Sequence, residues 1–401
     1  MKKFLKITSL LLCLALVISC AFGCSGSSDE ETGEDDNSSK SGKLYVFNWG
    51  DYIGEETIEK FEEKYPNIDV IYDIFDSNES MYQKLIGSNI PYDILIPSDY
   101  MIERLIRENR LKEIDMSKLE NYHYIDEKCL NTIYDPENKY SVPYTYGTLG
   151  ILYNTTMVEE EPHSWNTLWD EQYKGEILML DQVRDTMCLA LKRLGYSANS
   201  TDPEEIEAAR QSLVEQKHLV ANYGNDDLKD KMIAGRYMFS VAYSGDAIWM
   251  IEGNEDLAYV VPDEGSNFFI DAMCIPTSSK NTEAAYLFID FMNDPEIAYE
   301  NAEYIGYSTP HTEALQLLGE DYIEDEVYNP SAETLAKCEQ YVSFDAKTQK
   351  LYNESWRTIR QLTSLTPAVI VTLALFVVAV IAFVVREIVK SHKEKKESGI
   401  A

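Results

Sequence analysis

The sequence predicts an α/β fold of two successive α/β units, followed by one C-terminal transmembrane helix. Short runs rich in β-branched and aromatic residues alternate with helix-periodic segments, which is the pattern of an α/β chain. The alternation occurs twice, without sequence repeats, in a body of about 320 residues, enough for two ordinary domains. An uncharged apolar stretch near the C-terminus is long enough to cross a bilayer.

The first 19 residues are typical of an export signal, because lysines precede an apolar run at 10–18 and Ser19-Cys20 follows it. A small residue before a cysteine at this place resembles the bacterial lipobox, which implies that Cys20 is lipidated; Cys24 is a second candidate. Residues 20–42 contain few apolar side chains to bury, so we expect a disordered tether there.

The first α/β unit is predicted to have three strands, each followed by a helix. The strands are expected at 44–48, 70–75 and 92–97, and the helices at 55–65, 81–86 and 100–109. Helices between consecutive strands favour mostly parallel pairing.

The second unit is predicted to contain five strands and two helices. The strands are expected at 149–154, 177–180, 237–243, 258–261 and 268–275, and the helices at 186–194 and directly after Asp202-Pro203. Aspartate followed by proline is typical of a capped helix start.

The C-terminal stretch predicts a membrane span. No charged residue occurs between Leu362 and Val385, and a basic cluster begins at Arg386. We therefore expect a transmembrane helix at 365–385, a basic cytoplasmic tail at 386–401, and a folded body on the extracellular or periplasmic face of the cell membrane. The alternative is a buried core helix, which seldom runs this long without a charged residue.

The chain is strongly acidic, with a formal net charge of −34. All of this net charge belongs to residues 43–385, because the charges of the signal (+3), residues 20–42 (−5) and the tail (+2) cancel. Such a body attracts cations and disfavours nucleic acid as a partner.

The cysteines do not indicate a metal site. Of the seven, Cys129, Cys188, Cys274 and Cys338 are dispersed through the body, and no pair has metal-ligand spacing. Outside the cell an even number permits a disulfide, while a domain of this size does not require one. A disulfide and buried free thiols both stay open as alternatives.

Enzyme motifs are absent from the sequence. None of the five histidines lies in a His-Glu-x-x-His motif, and there is no nucleophile elbow, phosphate-binding loop or dinucleotide-binding turn. We therefore expect no catalytic residue, no metal site and no cofactor. The alternative is a glycoside hydrolase, or a carbohydrate-binding protein, that uses an aromatic and acidic cleft.

Aromatic and acidic residues recur together at the predicted strand ends. Asn48-Trp49-Gly50-Asp51-Tyr52 follows the first strand, and similar residues follow the strands at 92–97, 177–180 and 237–243. An organic cation suits this combination, because desolvated cation–ring contacts contribute roughly 1–2 kcal/mol each. One such segment is typical of ring packing or helix capping. Their recurrence at strand ends, where α/β proteins bind ligands, favours a ligand site.

Five segments together resemble the substrate-binding proteins of spermidine/putrescine ABC transporters. They are Phe47-Asn48-Trp49-Gly50-Asp51-Tyr52, Asp76-Ser77-Asn78-Glu79, Pro97-Ser98-Asp99-Tyr100, Lys192-Arg193-Leu194-Gly195-Tyr196 and Ile305-Gly306-Tyr307-Ser308-Thr309-Pro310. The resemblance covers roughly residues 43–361. It implies a bilobed, periplasmic-binding-protein-like fold, in which two α/β lobes joined by a hinge close over a polyamine and deliver it to a membrane permease.

The resemblance also implies lobe boundaries and partners. Lobe 1 is expected to comprise 43–149 and 270–315, and lobe 2 to comprise 150–269 and 316–361. The expected partners are putrescine or spermidine, the ABC transporter permease and the membrane. We expect the protein to act as a monomer and to bind no nucleic acid.

Carried over residue by residue, the resemblance implies a set of ligand-binding side chains. They are Trp49, Asp51, Tyr52, Ser98, Tyr100, Gln182, Asp185, Tyr243, Asp246, Phe269, Asp271, Tyr307 and Tyr341. Gln182 stands where spermidine-type members have an aspartate, whereas Asp51 and Asp246 resemble the putrescine-type pattern. The preferred amine therefore stays open between putrescine and spermidine.

The chemistry of these residues suggests how such a site would act. We expect Asp271 and either Asp185 or Asp246 to bind terminal ammonium groups, and the aromatic rings to enclose the methylenes. Because closure without a cation would crowd several carboxylates, we expect the ligand-free protein to stay mainly open. The alternative of a different class is an adhesion or sensor module, and neighbouring permease and ATPase genes would favour transport over it.

Overall fold

The computed structural model describes residues 42–361 together with positions 381, 385 and 386. All of them belong to one compact unit that begins at Lys40. The predicted signal peptide, tether and cytoplasmic tail, and the lipidation candidates, lie outside the described residues apart from positions 42 and 386. Of the predicted span at 365–385, only positions 381 and 385 are described. No helix within the described part of the chain is both long and apolar enough to cross a membrane.

Nine strands within residues 42–361 form one sheet. They are β1 (Gly42–Trp49), β2 (Ile68–Phe75), β3 (Ile94–Leu95), β4 (Ser141–Asn154), β5 (Ile177–Leu180), β6 (Val220–Gly224), β7 (Phe239–Tyr243), β8 (Leu257–Val260) and β9 (Phe268–Cys274). Their order is β2-β1-β3-β9-β4-β7-β5-β6, and β8 pairs with β4. The predicted strands are all present. The one expected at 92–97 is shortened to β3, and β6 was not predicted.

The prediction of mostly parallel pairing is wrong. The pairs β1–β2, β1–β3, β5–β6 and β5–β7 are parallel, whereas β3–β9 and all three pairings of β4 are antiparallel. The physical reason is the course of the chain. It leaves the first group of parallel strands along β4 and returns along β9, so these two long neighbours run in opposite directions.

Thirteen α-helices accompany the sheet within residues 42–361. They are α1 (Thr57–Lys64), α2 (Asn78–Gly87), α3 (Asp99–Arg107), α4 (Val183–Arg193), α5 (Pro203–Gln216), α6 (Lys229–Ile233), α7 (Ser244–Gly253), α8 (Thr282–Met292), α9 (Pro295–Ile305), α10 (Thr312–Leu318), α11 (Glu320–Glu324), α12 (Ala332–Lys337) and α13 (Ala346–Gln361). The start of α5 is confirmed: Asp202 accepts a hydrogen bond from the Glu204 N–H at 2.8 Å, and Pro203 is the first helical residue.

Two large apolar clusters hold the sheet and helices together. In one, Phe61 of α1 packs against Phe288 and Phe291 of α8, with ring centroids 5.1 and 5.3 Å apart. In the other, Trp165 lies fully buried among the side chains of β5, β7 and α13. Strand β4 is buried along its whole length and contributes to both clusters. The boundaries of the two lobes stay a prediction.

The four cysteines of the body are free thiols. Cys129, Cys188 and Cys274 are buried, and burial raises the pKa of each thiol. A protonated, buried thiol behaves as a small apolar side chain. Of the two alternatives left by the sequence, the structure therefore contains free thiols.

Candidate functional site

A cavity of about 240 Å³ lies at the ends of the strands. The segments that follow β1, β2, β3, β5, β6 and β7 line it, together with residues of β9. Side chains from separate parts of the chain meet there, as in the crevice at the strand ends of other α/β sheets. Every ligand-binding side chain predicted from the sequence lines this one cavity. The lining residues that were not predicted are Gly50, Phe75, Asp76, Asn78, Asp99, Leu180, Asn225, Asp226, Lys229 and Asn267.

Trp49 ends β1, and Asp51 and Tyr52 belong to the tight turn that follows it. The turn is held by the buried Asn48, whose Nδ2 donates to the Tyr52 carbonyl at 3.0 Å and whose Oδ1 accepts from the Trp49 N–H at 2.8 Å. The Tyr144 hydroxyl donates to the same Tyr52 carbonyl at 2.7 Å. Asp51 is exposed, with a left-handed φ of 50°. The turn thus buries Tyr52 and leaves Asp51 at the rim of the cavity.

One wall of the cavity is a row of aromatic rings. Tyr52 meets Tyr307 edge to face, with centroids 5.0 Å apart, and Tyr307 lies 6.2 Å from Phe269. Phe269 in turn lies 5.6 Å from Tyr243, at the end of β7. Such a row offers both apolar surface and ring faces to a ligand that combines methylenes with positive charge.

Two further ring pairs complete the aromatic lining. Trp49 packs against Phe75 with centroids 4.6 Å apart, and Tyr100 at the start of α3 lies 6.1 Å from Tyr341. The indole N–H of Trp49 is buried and has no hydrogen-bond partner within the described chain.

Asp271 of β9 has a buried carboxylate of which only one oxygen is hydrogen-bonded within the described chain. Its side chain is 4% exposed, and its Oδ2 accepts from the Tyr52 hydroxyl at 2.8 Å. Its Oδ1 has no hydrogen-bond partner among the described residues. Burial raises the pKa of Asp271 to about 6, although the nearby Ser98 side chain and the hydrogen bond from Tyr52 oppose the increase. A cation that reached Oδ1 would supply the missing partner and favour the charged form.

Asp185, in the first turn of α4, is held by two phenols. The Tyr243 hydroxyl donates to its Oδ2 at 2.8 Å, and the Tyr341 hydroxyl donates to its Oδ1 at 3.1 Å. Burial raises the pKa of Asp185, while the two phenols and the nearby Arg184 guanidinium lower it. Asp185 also raises the pKa of Asp271, so the two carboxylates lie close enough to repel each other.

Arg184, the neighbour of Asp185, fixes the segment that carries Tyr341. Its guanidinium is buried and donates to the Val342 carbonyl and to the Asn199 side chain, both at 3.0 Å. It lies 3.8 Å from the ring centroid of Phe344 and 4.4 Å from that of Tyr341. A buried cation thus holds residues 341–344 against α4.

Asp246, in the first turn of α7, already has a cationic partner from the protein. The Lys229 ammonium lies 2.8 Å from Asp246 Oδ1 and 3.4 Å from Asp226 Oδ1. Burial raises the pKa of Asp246, and the Lys229 ammonium lowers it. Sequence reasoning missed Lys229, because nothing in the sequence indicates a lysine inside a site for cations.

Asp99, the first residue of α3, was also missed as a site residue. It is fully buried, its Oδ1 accepts from the Tyr100 N–H at 2.7 Å, and its Oδ2 has no hydrogen-bond partner among the described residues. Burial holds the pKa of Asp99 well above its usual range, and Asp271 and Asp185 add to the effect. A signal existed in the sequence, since Asp99 lies at a strand end between Ser98 and Tyr100, both of which were predicted.

Gln182 lies at the edge of the cavity and bridges two loops. Its side-chain amide donates to the Asp76 carbonyl at 3.1 Å, which joins the loop after β5 to the loop after β2. The residue that replaces the expected aspartate is thus engaged with the backbone. Gln182 and Asp51 are both more exposed than the buried Asp271.

Comparisons with known proteins identify relatives over most of the chain. A family model described as "Bacterial extracellular solute-binding protein" matches residues 56–330. The spermidine/putrescine-binding periplasmic protein of Salmonella typhimurium is 37% identical over 298 residues, which cover 74% of this chain and 85% of that protein. Its counterpart in Escherichia coli is 35% identical over 328 residues, which cover 81% of this chain and 92% of that protein.

Solved structures give the same result. A protein described as a spermidine/putrescine ABC transporter from Listeria monocytogenes is 40% identical, with a TM-score of 0.78 over 80% of this chain and 100% of that one. A spermidine/putrescine ABC transporter substrate-binding protein from Streptococcus pneumoniae is 43% identical, with a TM-score of 0.71 over 80% of this chain and 99% of that one.

Proposed function

This chain belongs to the bacterial extracellular solute-binding protein family, and we propose that it captures putrescine or spermidine as the substrate-binding component of a polyamine ABC transporter. It has the α/β fold of the periplasmic binding proteins. The family is one of solute-binding proteins and not of enzymes, so the glycoside hydrolase alternative is set aside.

The observation that carries the proposal is the unpaired, buried oxygen of Asp271 beside a row of aromatic rings. A buried carboxylate without a partner is destabilising, and an ammonium group removes that cost by donating a charged hydrogen bond. A neutral sugar or a zwitterionic amino acid does not offset several buried carboxylates in one cavity. The charge of the cavity therefore favours a dication or trication over a carbohydrate.

The proposed mechanism assigns charge recognition to the carboxylates and shape recognition to the rings. One ammonium group of the amine binds Asp271, and the other end of the chain binds near Asp185. The methylenes lie against Tyr52, Tyr307 and Phe269, where buried apolar area contributes about 25 cal/mol per Å². Charged hydrogen bonds of this kind contribute about 1.5–3 kcal/mol each.

We propose further that the cavity lies between two lobes that close over the ligand. With lobe boundaries at 43–149 and 270–315 for one lobe and 150–269 and 316–361 for the other, Asp271 and Asp185 come from opposite lobes. A bound cation offsets their repulsion and so favours the closed form.

The terminal segments suggest how the protein is held beside its permease. We propose that Cys20 carries a lipid and that residues 365–385 span the membrane, with the basic tail in the cytoplasm. The support is the lipobox-like Ser19-Cys20 and the uncharged apolar stretch followed by a basic cluster. A monomer so anchored would present the folded body to the permease on the outer face.

A thermal-shift panel tests the function. The full chain in detergent is titrated with putrescine, spermidine, spermine, a sugar and an amino acid. Because binding to the folded state adds RT ln(1 + [L]/Kd) to stability, we expect the polyamines alone to raise the melting temperature. Stabilisation by the sugar or the amino acid, with no response to any polyamine, would contradict the proposal.

Replacement of Asp271 tests the site. We expect Asp271→Asn to weaken polyamine binding by at least about 1.5–3 kcal/mol, the contribution of a charged hydrogen bond, as measured by calorimetry. Asp69→Asn is the matched control, because Asp69 is exposed on β2 and does not line the cavity. Equal affinities of wild type and Asp271→Asn would reject the assigned site.

A further inference from the structure

Lys229 places a protein ammonium group inside the proposed polyamine cavity. It is the first residue of α6, its side chain is only 16% exposed, and it lines the cavity. Its Nζ lies 2.8 Å from Asp246 Oδ1, 3.4 Å from Asp226 Oδ1 and 5.9 Å from the ring centroid of Trp249. A cavity proposed to bind cations thus already contains a lysine ammonium group beside Asp246.

Because of this pairing, the carboxylates of the cavity differ in whether the protein itself neutralises their charge. Asp246 is partly buried, and it is neutralised by Lys229 while it also interacts with the Tyr307 hydroxyl. Within residues 42–361, no lysine or arginine nitrogen lies within 4.0 Å of a carboxylate oxygen of Asp271 or Asp185. Asp271 and Asp185 therefore have no ion-pair partner from the described part of the protein to compete with a ligand, whereas Asp246 has one.

An ammonium group of a ligand can reach Asp246 only in competition with Lys229. The lysine is tethered, so its effective concentration at Asp246 is far above that of a free amine. If the ligand displaced it, the freed Lys229 charge would remain buried in the same cavity and would repel the ligand. A ligand with two charged ends avoids this cost, whereas a ligand with a third ammonium group meets it.

We propose that Lys229 is a specificity-determining residue, which fills the Asp246 end of the cavity in place of a third ammonium group and so selects diamines over triamines. This inference rests on the proposed function and sharpens it. In this proposal, the buried Lys229–Asp246 ion pair determines which amine is preferred, and the rim residues Asp51 and Gln182 do not. The wild-type protein then binds putrescine more tightly than spermidine.

The test compares both amines on one variant. Lys229→Met removes the charge and keeps most of the apolar stem, so Asp246 becomes available to a ligand. We measure Kd for putrescine and for spermidine by calorimetry on the full chain in detergent. The ratio of the spermidine Kd to the putrescine Kd is expected to fall by at least about tenfold, the size of one charged hydrogen bond.

Lys231→Met is the matched control. Lys231 lies two residues further along α6 and pairs with Asp227 at 2.6 Å, and neither residue lines the cavity. The same loss of charge there should leave the Kd ratio within about twofold of wild type, as expected for a partly exposed pair. An unchanged ratio in Lys229→Met, or a wild type that prefers spermidine, overturns the inference.

A second variant keeps the inference testable if Lys229→Met fails to fold. Asp246→Asn leaves the Lys229 charge without its main partner, and we expect spermidine binding to weaken more than putrescine binding. Equal losses for the two amines would overturn the inference. If the wild-type protein binds no polyamine at all, the proposed function fails first, and that outcome is distinct from an unchanged ratio.

Discussion

Asp271 and Asp99 each present a buried carboxylate oxygen that has no hydrogen-bond partner among the described residues. In a core, such an oxygen is destabilising, because it loses its hydrogen bonds to water without replacement. In a cavity lined with aromatic rings, an unsatisfied carboxylate is typical of a site whose partner is a ligand. Asp271 and Asp99 therefore destabilise the ligand-free folded state, and they do so at the binding cavity.

The buried carboxylate of Asp271 makes the free energy of unfolding depend on pH. The pKa of Asp271 is about 6 in the folded protein against an ordinary value of 3.8. Between these values the folded state holds more protons than the unfolded state, so the free energy of unfolding falls as pH rises. We expect ligand-free wild type to gain stability relative to Asp271→Asn as the pH falls from about 7 to about 3, by up to about 3 kcal/mol for a shift of roughly two units, with about half of the gain reached at pH 5.

Denaturant unfolding of the two proteins at each pH measures this difference directly. Other carboxylates, such as Asp73 and Glu108, have lowered pKa values and act in the opposite direction, but they are shared by both proteins and cancel. A difference between wild type and variant that does not change with pH would show that Asp271 is ionised like an exposed aspartate.

The site residues were predictable where a family motif marks them, and not where they depend on a contact between positions far apart in the sequence. From the sequence, the turn at 48–52 could be placed at a strand end, and Asp271 could be placed within a strand. The pairing of Lys229 with Asp246 could not, because the two residues lie 17 positions apart on separate helices and are joined only by the packing of α6 against α7. A salt bridge between distant residues leaves no periodic pattern for sequence reasoning to detect.

At the level of elements, the start of α7 sets the position of one wall of the cavity. Gly245, in the first turn of α7, packs so closely on Tyr307 that a Cβ atom there would overlap the ring. Tyr307 is the ring that contacts both Tyr52 and Phe269. The glycine therefore permits the ring row to close against the helix.

We expect Gly245→Ala to displace Tyr307 and to weaken polyamine binding by about tenfold, since forcing extra volume into packed contacts costs about 1–3 kcal/mol. Helix propensity alone predicts that Gly245→Ala stabilises the protein, because alanine is favoured over glycine by about 1 kcal/mol inside helices. Calorimetry of the variant with putrescine measures the loss of affinity.

Gly87→Ala is the matched control for this change. Gly87 is the last residue of α2, and a Cβ atom there would have no neighbour within 4 Å. We expect its affinity to equal that of wild type. If Gly245→Ala also bound putrescine with wild-type affinity, the position of the Tyr307 ring would not depend on the glycine.

Element prediction succeeded where hydrophobic alternation is strong and failed where topology decides. Strand β5 and the start of α5 lie where the pattern put them. Strand β6 was missed because Val220–Gly224 is only partly buried and contains Asn222 among its five residues. The antiparallel pairing of β4 with β9 was missed because pairing direction depends on long-range contacts, which local periodicity does not report.

On the scale of the whole molecule, charge and closure are linked. The net charge of −34 draws organic cations toward the body, and the attraction weakens with salt beyond about 8–10 Å. Inside the cavity, the charge of Asp185 contributes to the raised pKa of both Asp271 and Asp99. In the proposed lobe division, Asp185 belongs to one lobe, and Asp271 and Asp99 belong to the other.

We therefore expect the ligand-free protein in solution to be mainly open at neutral pH and to close when a polyamine neutralises the opposed carboxylates. A ligand shifts such an equilibrium only through its difference in affinity for the two states, and a dication between Asp271 and Asp185 has a large one. Small-angle scattering should show a smaller radius of gyration with putrescine than without it. Asp271→Asn is the control, since removing one opposed charge should make the ligand-free protein more compact than wild type. A ligand-free wild type that is already closed at neutral pH would show that carboxylate repulsion does not hold the lobes apart.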